Sequence, residues 1–297
     1  MFGHRHEGKA IHKCIDPITR VVPYIMTTRA DSQCYCTQFI DSETLVSYVR
    51  KKRIDGHRVS QMAVVIAAYV RMISQMPELN RFVVGKKVYA RKELCVSFAM
   101  VKILSKTEFL ETTLKIYFDP SDTVFDVARK VDDAIQRNKH KEASNKTDKV
   151  VNTLLSIPGL LLVGTGILKL MDRYGIMPRM VVDASPFHTS MFITNMASIR
   201  LSKLHHHLYN FGTTTVFLGM GKREPQLTVK KDGTMGYRDV YPLAVTTDER
   251  VCAGAFYGMA FQELDKYLKN PELLEVPPES VRYDENIEYH LKKDKIH

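Results

Sequence analysis

The sequence predicts a large α/β domain, on three observations. The chain has 297 residues with 44% hydrophobic content, enough for a substantial core. Segments with strand-like and helix-like periodicity alternate along it. One of them, from Met62 to Met76, repeats apolar residues at helical spacing and closes at Pro77, which indicates a helix that faces the core.

The first half carries a separate signal for each element. Residues 33–41 alternate as a strand does, and Ser42 can cap a short helix that ends at the basic cluster 50–53. Beyond Pro77 the pattern predicts strands at Val83–Val88, Leu94–Ile103 and Thr113–Phe118, followed by a helix capped by Thr123 that runs through Ile135.

The second half begins after a lysine-rich polar break near 137–149. It contains strands at 192–195, 213–220 and 241–247, a hairpin turn at 229–234, and a closing helix with apolar residues on one face between Phe256 and Tyr267. We therefore expect a polar leader at 1–15, one domain with two halves at 16–275, and a charged tail at 276–297.

Cysteine and charge usage narrow the class of protein. Five cysteines, an odd number without zinc-type spacing, indicate neither a disulfide framework nor a metal site. The N-terminus is polar and lacks the apolar core of a signal peptide, so we do not expect secretion. A cytoplasmic protein fits best. The net charge of +10 suits a nucleic acid, an anionic membrane or an anionic small molecule, but no nucleic-acid signature accompanies the scattered basic clusters, so we expect no nucleic-acid partner.

The segment 150–171 is strongly apolar and approaches the length of a membrane span. Pro158, Gly159, Gly164 and Gly166 interrupt it, which disfavours a straight spanning helix. We expect a buried helix pair or a subunit interface here, with peripheral membrane contact as the alternative.

The C-terminal block resembles a known active site. Residues 247–254 read Thr-Asp-Glu-Arg-Val-Cys-Ala-Gly, and 270–274 read Asn-Pro-Glu-Leu-Leu. Together with Pro-Glu-Leu-Asn at 77–80 and the pair Thr194-Asn195, this block resembles the catalytic core of the dihydrolipoyl acyltransferases of 2-oxo acid dehydrogenase complexes, relatives of chloramphenicol acetyltransferase. The family signature at the first block is Asp-His-Arg-Val-x-Asp-Gly.

The resemblance implies a chloramphenicol acetyltransferase-like two-layer α/β sandwich, with a mixed or largely antiparallel sheet covered by helices. It further implies a homotrimer with active sites and coenzyme A channels between subunits, and coenzyme A or acyl-CoA as the substrate. A basic chain could bind the phosphates of coenzyme A. Thr147-Asp148-Lys149 is similar to a lipoyl attachment tip but falls in mid-domain, so no lipoyl site is expected.

Two departures from the signature put the family's reaction in doubt. Glu249 stands at the position of the catalytic histidine and Ala253 at that of the loop-fixing aspartate. An ordinary glutamate is a much weaker base than an imidazole, so Glu249 is either a general base raised in pKa by burial or a carboxylate paired with Arg250 or another arginine. Thr194 is the candidate for stabilising the oxyanion, and its simpler interpretation is a strand former.

Histidines elsewhere are the other candidate bases. His206 and His207 belong to a run of three, His205–His207, whose neighbouring side chains point in different directions. A surface role, a replacement catalytic histidine and a metal site all remain open, with no metal expected. His188 is a further candidate near the Thr194 strand.

Three functions follow. The first is a coenzyme A-dependent acyltransferase with an altered catalytic set of Glu249 or a histidine with Thr194. The second is a catalytically inactive trimeric acyl-binding or scaffold protein. The third is a membrane-surface or lipid-interacting protein that uses 150–171.

Overall fold

Ten strands and seven helices form the part of the chain that the computed structural model describes, namely residues 5–103, 109–139, 156, 159–230 and 232–289. The strands are β1 Gly8–Ala10, β2 Gln33–Asp41, β3 Phe82–Val84, β4 Lys87–Arg91, β5 Leu94–Ile103, β6 Phe109–Phe118, β7 Met191–Asn195, β8 Val216–Met220, β9 Glu224–Val229 and β10 Met235–Asp248. The helices are α1 Pro17–Ile25, α2 Ser42–Ile54, α3 Gln61–Gln75, α4 Val124–Lys139, α5 Leu160–Tyr174, α6 Arg179–Ala184 and α7 Gly254–Lys269.

The large sheet is mixed and mostly antiparallel. Its order is β2-β10-β8-β7-β5-β6, and β9 pairs with the first half of β10. Strand β7 runs parallel to β5 and β8, whereas the other pairings are antiparallel. A separate antiparallel sheet has the order β1-β4-β3. The predicted α/β class with a mixed, largely antiparallel sheet is confirmed.

The core lies between one face of the large sheet and the helices α2, α3, α4 and α7. Helix α3 is central, because 12 of its 15 residues are buried. A helix that is apolar on all sides needs such a position to remove its surface from water. Strands β7 and β8 contribute alternate residues to the same core, for example Ile193 and Leu218, as the two-residue period of a strand requires.

The opposite face of the sheet is covered by an irregular segment, residues 200–212. Phe192 and Phe217 stack on this face at 4.9 Å between ring centroids, and Leu208 packs with them. The segment crosses β8 at Gly219, where a Cβ atom would lie 2.8 Å from the Leu204 carbonyl oxygen. Glycine is therefore required for the segment to lie flat on the sheet.

Two local predictions are wrong. The predicted single strand Val83–Val88 is a hairpin, because Gly85 and Lys86 both adopt positive φ (57° and 63°) and form a two-residue turn of the kind that joins twisted strands. The N-cap of α2 is Asp41 rather than Ser42, which is the first helical residue. The Asp41 carboxylate accepts a hydrogen bond from the Thr44 backbone N–H at 2.8 Å.

The apolar segment 150–171 is described only at 156 and 159–171. Residues 160–171 belong to α5, whose Leu162, Val163 and Ile167 are 77%, 58% and 51% exposed. The expected burial in a helix pair is wrong for this stretch of a single chain. Among the described residues, none of the helices has the length and apolar character to cross a membrane.

Candidate active site

Strand β10 ends in a buried carboxylate that organises the loop after it. Asp248 accepts hydrogen bonds from Arg250 Nε at 2.8 Å and Nη2 at 2.7 Å. Ser32 Oγ donates a third at 2.9 Å, and Arg29 Nε lies 3.4 Å from Oδ2. Because the Asp248 side chain has no exposed surface, these donors replace the water that it loses on burial. The loop is thus fixed by charge-assisted hydrogen bonds.

Two arginines share this one carboxylate. Arg29 also donates to the backbone oxygens of Tyr209 at 2.7 Å and Val83 at 3.2 Å, which ties the loop to two other segments. Burial lowers the pKa of Arg29 to about 10, although the negative charge of Asp248 acts to raise it. The guanidinium is still protonated at neutral pH, so the cluster of Arg29, Asp248 and Arg250 carries an excess positive charge.

The loop after β10 is fixed without an aspartate at position 253. Ala253 is the residue before α7 and provides no side-chain cap. The Asp248 side chain holds the loop instead. The backbone oxygen of Asp248 also accepts a hydrogen bond, at 2.9 Å, from the hydroxyl of Tyr257 on α7. A fixed loop therefore lies beside the first turn of α7.

Glu249 lies beside a thiol. It is half-buried, and its Oε2 is 3.7 Å from Cys34 Sγ at the start of β2. Burial and the charge of Glu249 raise the pKa of the Cys34 thiol, so the sulfur keeps its proton at neutral pH. Arg250 pairs with Asp248, so the Glu249–Arg250 bridge considered from the sequence is not formed.

Thr194 does not meet Glu249 within one chain. It lies on β7 opposite Gly219 of β8, which pairs with Ala244 of β10. Ala244 precedes Glu249 by five residues, which at about 3.3 Å per strand residue separates the two sites by roughly 15 Å or more. The neighbouring Asn195 has a buried Oδ1 without a hydrogen-bond partner in the described structure.

The three consecutive histidines occupy different environments. His205 Nε2 lies 2.8 Å from the Cys36 carbonyl oxygen on β2. His206 is half-buried and stacks on Phe217 at 4.1 Å, whereas His207 is exposed. Within the described residues, no group of three or more His, Cys, Asp or Glu side chains could hold a metal ion.

His188 belongs to a buried polar cluster rather than to the Glu249 loop. Its Nε2 lies 3.2 Å from Asp172 Oδ1, and its Nδ1 lies 2.8 Å from Ser185 Oγ. Arg5 bridges Asp172 and Glu7. Burial alone would raise the pKa of Asp172, but the hydrogen bond from His188 and the charge of Arg5 hold it well below its usual range. This cluster joins α5 to the N-terminal strand.

A cavity with a volume of ≈ 420 Å³ lies beside the loop that contains Arg250. This volume is typical of small-molecule sites. Arg29 and Arg250 form part of its wall, and the exposed residues Lys86, Lys169 and Arg173 also line it. Asp172 is the one carboxylate among the described lining residues, and Arg5 and His188 already engage it. The cavity therefore favours an anionic ligand.

Sequence reasoning missed most of this cavity. Arg29 and Ser32 follow α1 and carry no local motif, and their partner Asp248 is more than 200 residues away in the chain. Lys86 and Arg173 belong to no motif in the sequence. The tight Gly85-Lys86 turn was the one local signal that could have indicated where β3 and β4 meet the cavity.

Comparisons with known proteins give the fold a name. Neither family models nor curated protein sequences match the chain. Solved structures do match: a probable dihydrolipoamide acetyltransferase from Listeria monocytogenes 4b F2365 has a TM-score of 0.53 and 15% identity, covering 86% of this chain and 92% of that one. The cubic core of the pyruvate dehydrogenase multienzyme complex has a TM-score of 0.54 and 12% identity, covering 92% and 94%.

A chloramphenicol acetyltransferase structure is also similar, with a TM-score of 0.50 and 13% identity over 88% of this chain and 100% of that chain. The chain therefore has the chloramphenicol acetyltransferase-like fold of acyltransferase catalytic cores. At these identities the likeness establishes the fold alone.

Proposed function

We propose that the protein is a coenzyme A-dependent acyltransferase that works as a homotrimer with Glu249 in place of the usual histidine. The observation that carries the proposal is the basic cavity against the Asp248–Arg250 loop. An acyl-CoA presents phosphates and a thioester, and Lys86, Lys169 and Arg173 supply the charge that phosphates bind. Arg29 and Arg250 in the cavity wall add to the same positive electrostatic potential.

In the proposed reaction the Glu249 carboxylate accepts the proton of an acceptor thiol or hydroxyl as that group attacks the thioester carbonyl. The carbonyl oxygen becomes an oxyanion, to which Thr194 donates a hydrogen bond. Collapse of this intermediate breaks the bond to sulfur, and the coenzyme A thiolate takes up the proton. Because a carboxylate is a weaker base than an imidazole, slow turnover is expected.

A second subunit is needed to complete this site. Within one chain, the strand register places Thr194 level with Ala244 rather than with Glu249, so a neighbouring copy would have to supply one of the two residues. The likeness to the core of a multienzyme complex supports an oligomer of this kind. His206, which stacks on Phe217 of β8, and the adjacent His207 are the remaining candidate bases in such an assembly.

The test is release of free coenzyme A from a series of acyl-CoA donors by the native chain and by Glu249→Gln. Loss of turnover in Glu249→Gln, with native activity in the exposed-site control Glu279→Gln, supports the proposal. Turnover that persists in Glu249→Gln but disappears in His206→Ala or His207→Ala would transfer the role of the base to the histidine.

The second candidate is a catalytically inactive trimer that binds acyl-CoA. The contact between Glu249 and the Cys34 thiol favours it, because the carboxylate already has a partner inside its own chain. Saturable acyl-CoA binding by a stable trimer, with no release of coenzyme A from any donor, would establish this function and exclude the enzyme.

A further inference from the structure

Helix α1 presents its apolar side to solvent. Ile18, Val21, Tyr24 and Ile25 are 77%, 52%, 55% and 74% exposed, while the buried residue of the helix is Pro23. A surface helix ordinarily turns its apolar stripe toward the core. The outward stripe of α1 is therefore a candidate contact surface.

Helix α5 extends the same surface. The turn between β3 and β4 lies between the two helices: Lys86 Nζ is 5.0 Å from the Tyr24 ring, and a Cβ at Gly85 would lie 3.2 Å from the Arg173 carbonyl oxygen. Both helices also border the basic cavity, through Thr28 just after α1 and Lys169 on α5. We name this surface the outer patch. It comprises the exposed apolar residues Ile18, Val21, Tyr24 and Ile25 of α1 and Leu162, Val163, Ile167 and Leu170 of α5.

Positive charge surrounds the outer patch. Lys86, Lys87, Lys169 and Arg173 are exposed between or beside the two helices. Arg20 is on α1 itself, and burial together with the charges of Arg20 and Lys87 lowers the pKa of the nearby His12. A second copy docked here would have to offset this positive charge, whereas an anionic bilayer complements it over its whole surface.

We propose that the outer patch binds the surface of an anionic lipid bilayer, with α1 and α5 lying in the interface and the basic residues on the headgroups. Apolar side chains next to lysine and arginine are what interfacial helices use. The cavity mouth then faces the membrane, so an acyl-CoA held at the bilayer surface could enter it directly. The surface is independent of whether Glu249 is catalytic.

The test is flotation of the full chain with vesicles of phosphatidylcholine alone and of phosphatidylcholine mixed with phosphatidylserine. We expect binding to the mixed vesicles only, weakened by salt. Each basic residue near an anionic surface contributes roughly a fivefold gain in partitioning, so Lys86→Gln with Lys87→Gln should lower it by about 25-fold. Ile25→Ser with Leu162→Ser should abolish flotation.

The control is Leu227→Ser with Val229→Ser, which removes two other exposed apolar residues (53% and 65%) from β9, a strand that pairs with the first half of β10, away from the Glu249 end. This variant should float as the native chain does. Glu249→Gln should also float, because membrane binding does not depend on whether Glu249 is catalytic. A folded native chain that fails to float with anionic vesicles would overturn the proposal. A trimer that dissociates on Ile25→Ser with Leu162→Ser, without vesicle binding, would show that a second copy covers the patch.

Discussion

The inner wall and the mouth of the basic cavity are built in opposite ways. At the wall, Arg29 and Arg250 are buried, and they are paired with the buried Asp248 or bonded to backbone oxygens. At the mouth, Lys86 and Arg173 are exposed on a turn and at a helix end. Buried charges must be paired for the protein to fold, whereas exposed ones cost little stability and remain available to a ligand. The two regions therefore separate stability from recognition.

The largest effect is expected at the wall. Asp248→Asn removes the countercharge of two buried arginines and should lower the free energy of unfolding by about 3–5 kcal/mol. Urea denaturation measures this change. Asp239→Asn, in an exposed pair with Arg223, is the control and should stay within about 1 kcal/mol of the native chain. Equal stabilities of the two variants would show that the wall is not held by charge.

The buried cluster of α5 predicts a pH dependence. Since the folded-state pKa of Asp172 is held below its usual range, its stabilising contribution is fully present above the unfolded value of about 3.9 and is lost as the pH falls below it. The unfolding free energy should fall by up to about 1.4 kcal/mol per pH unit for this proton. Asp172→Asn should flatten that slope. Asp265→Asn, in a surface pair with Lys269, should leave it unchanged.

Substitutions at the mouth of the cavity should weaken the binding of coenzyme A without changing the stability of the protein. Lys86→Glu with Arg173→Glu should weaken coenzyme A binding at least tenfold, about 1.4 kcal/mol, while the urea midpoint hardly changes. Titration calorimetry measures the affinity. Lys222→Glu with Lys230→Glu reverses the same number of charges at exposed sites on either side of β9, and should leave the affinity near its native value. Equal losses in both variants would mean that net charge, rather than the mouth, binds the ligand.

The smallest effect concerns the thiol beside Glu249. Because burial and the charge of Glu249 raise the pKa of Cys34, Glu249→Gln should lower that pKa and speed alkylation of Cys34 a few-fold. Mass spectrometry of each cysteine after iodoacetamide treatment gives the rate. Cys14, which is also exposed, is the internal control. An unchanged ratio between the two would show that Glu249 does not act on the thiol.

Periodicity predicted the fold further than it predicted the site. The strand at 33–41, the helix predicted over Met62–Met76 and the Thr123 cap agree with the structure because each depends on neighbouring residues. The hairpin at Gly85-Lys86 was missed because the apolar residues on either side of the turn, Val83-Val84 and Val88, were assigned to a single strand. For the segment that contains α5, a buried helix pair or a subunit interface was expected, and composition alone does not reveal which surface a helix packs against.

The site depends on contacts distant in sequence. The block 248–254 suggested Glu249 and Arg250 as a pair, but Asp248 outcompetes Glu249 for Arg250 because its buried carboxylate aligns with both Nε and Nη2. Thr194 was identified as a partner of Glu249, and only the sheet register separates the two within a chain. The apparent lipoyl tip at Lys149 lies outside the described residues.

The central claim is that the basic cavity delivers an acyl-CoA thioester to Glu249. A crystal structure of the protein soaked with coenzyme A tests it most directly. We predict phosphates at Lys86 and Arg173 and the thiol within hydrogen-bond distance of Glu249 in an oligomer that brings Thr194 of another copy to the same site. Coenzyme A bound with its thiol remote from Glu249 and from every histidine, or absent from the cavity at saturating concentration, would contradict the account.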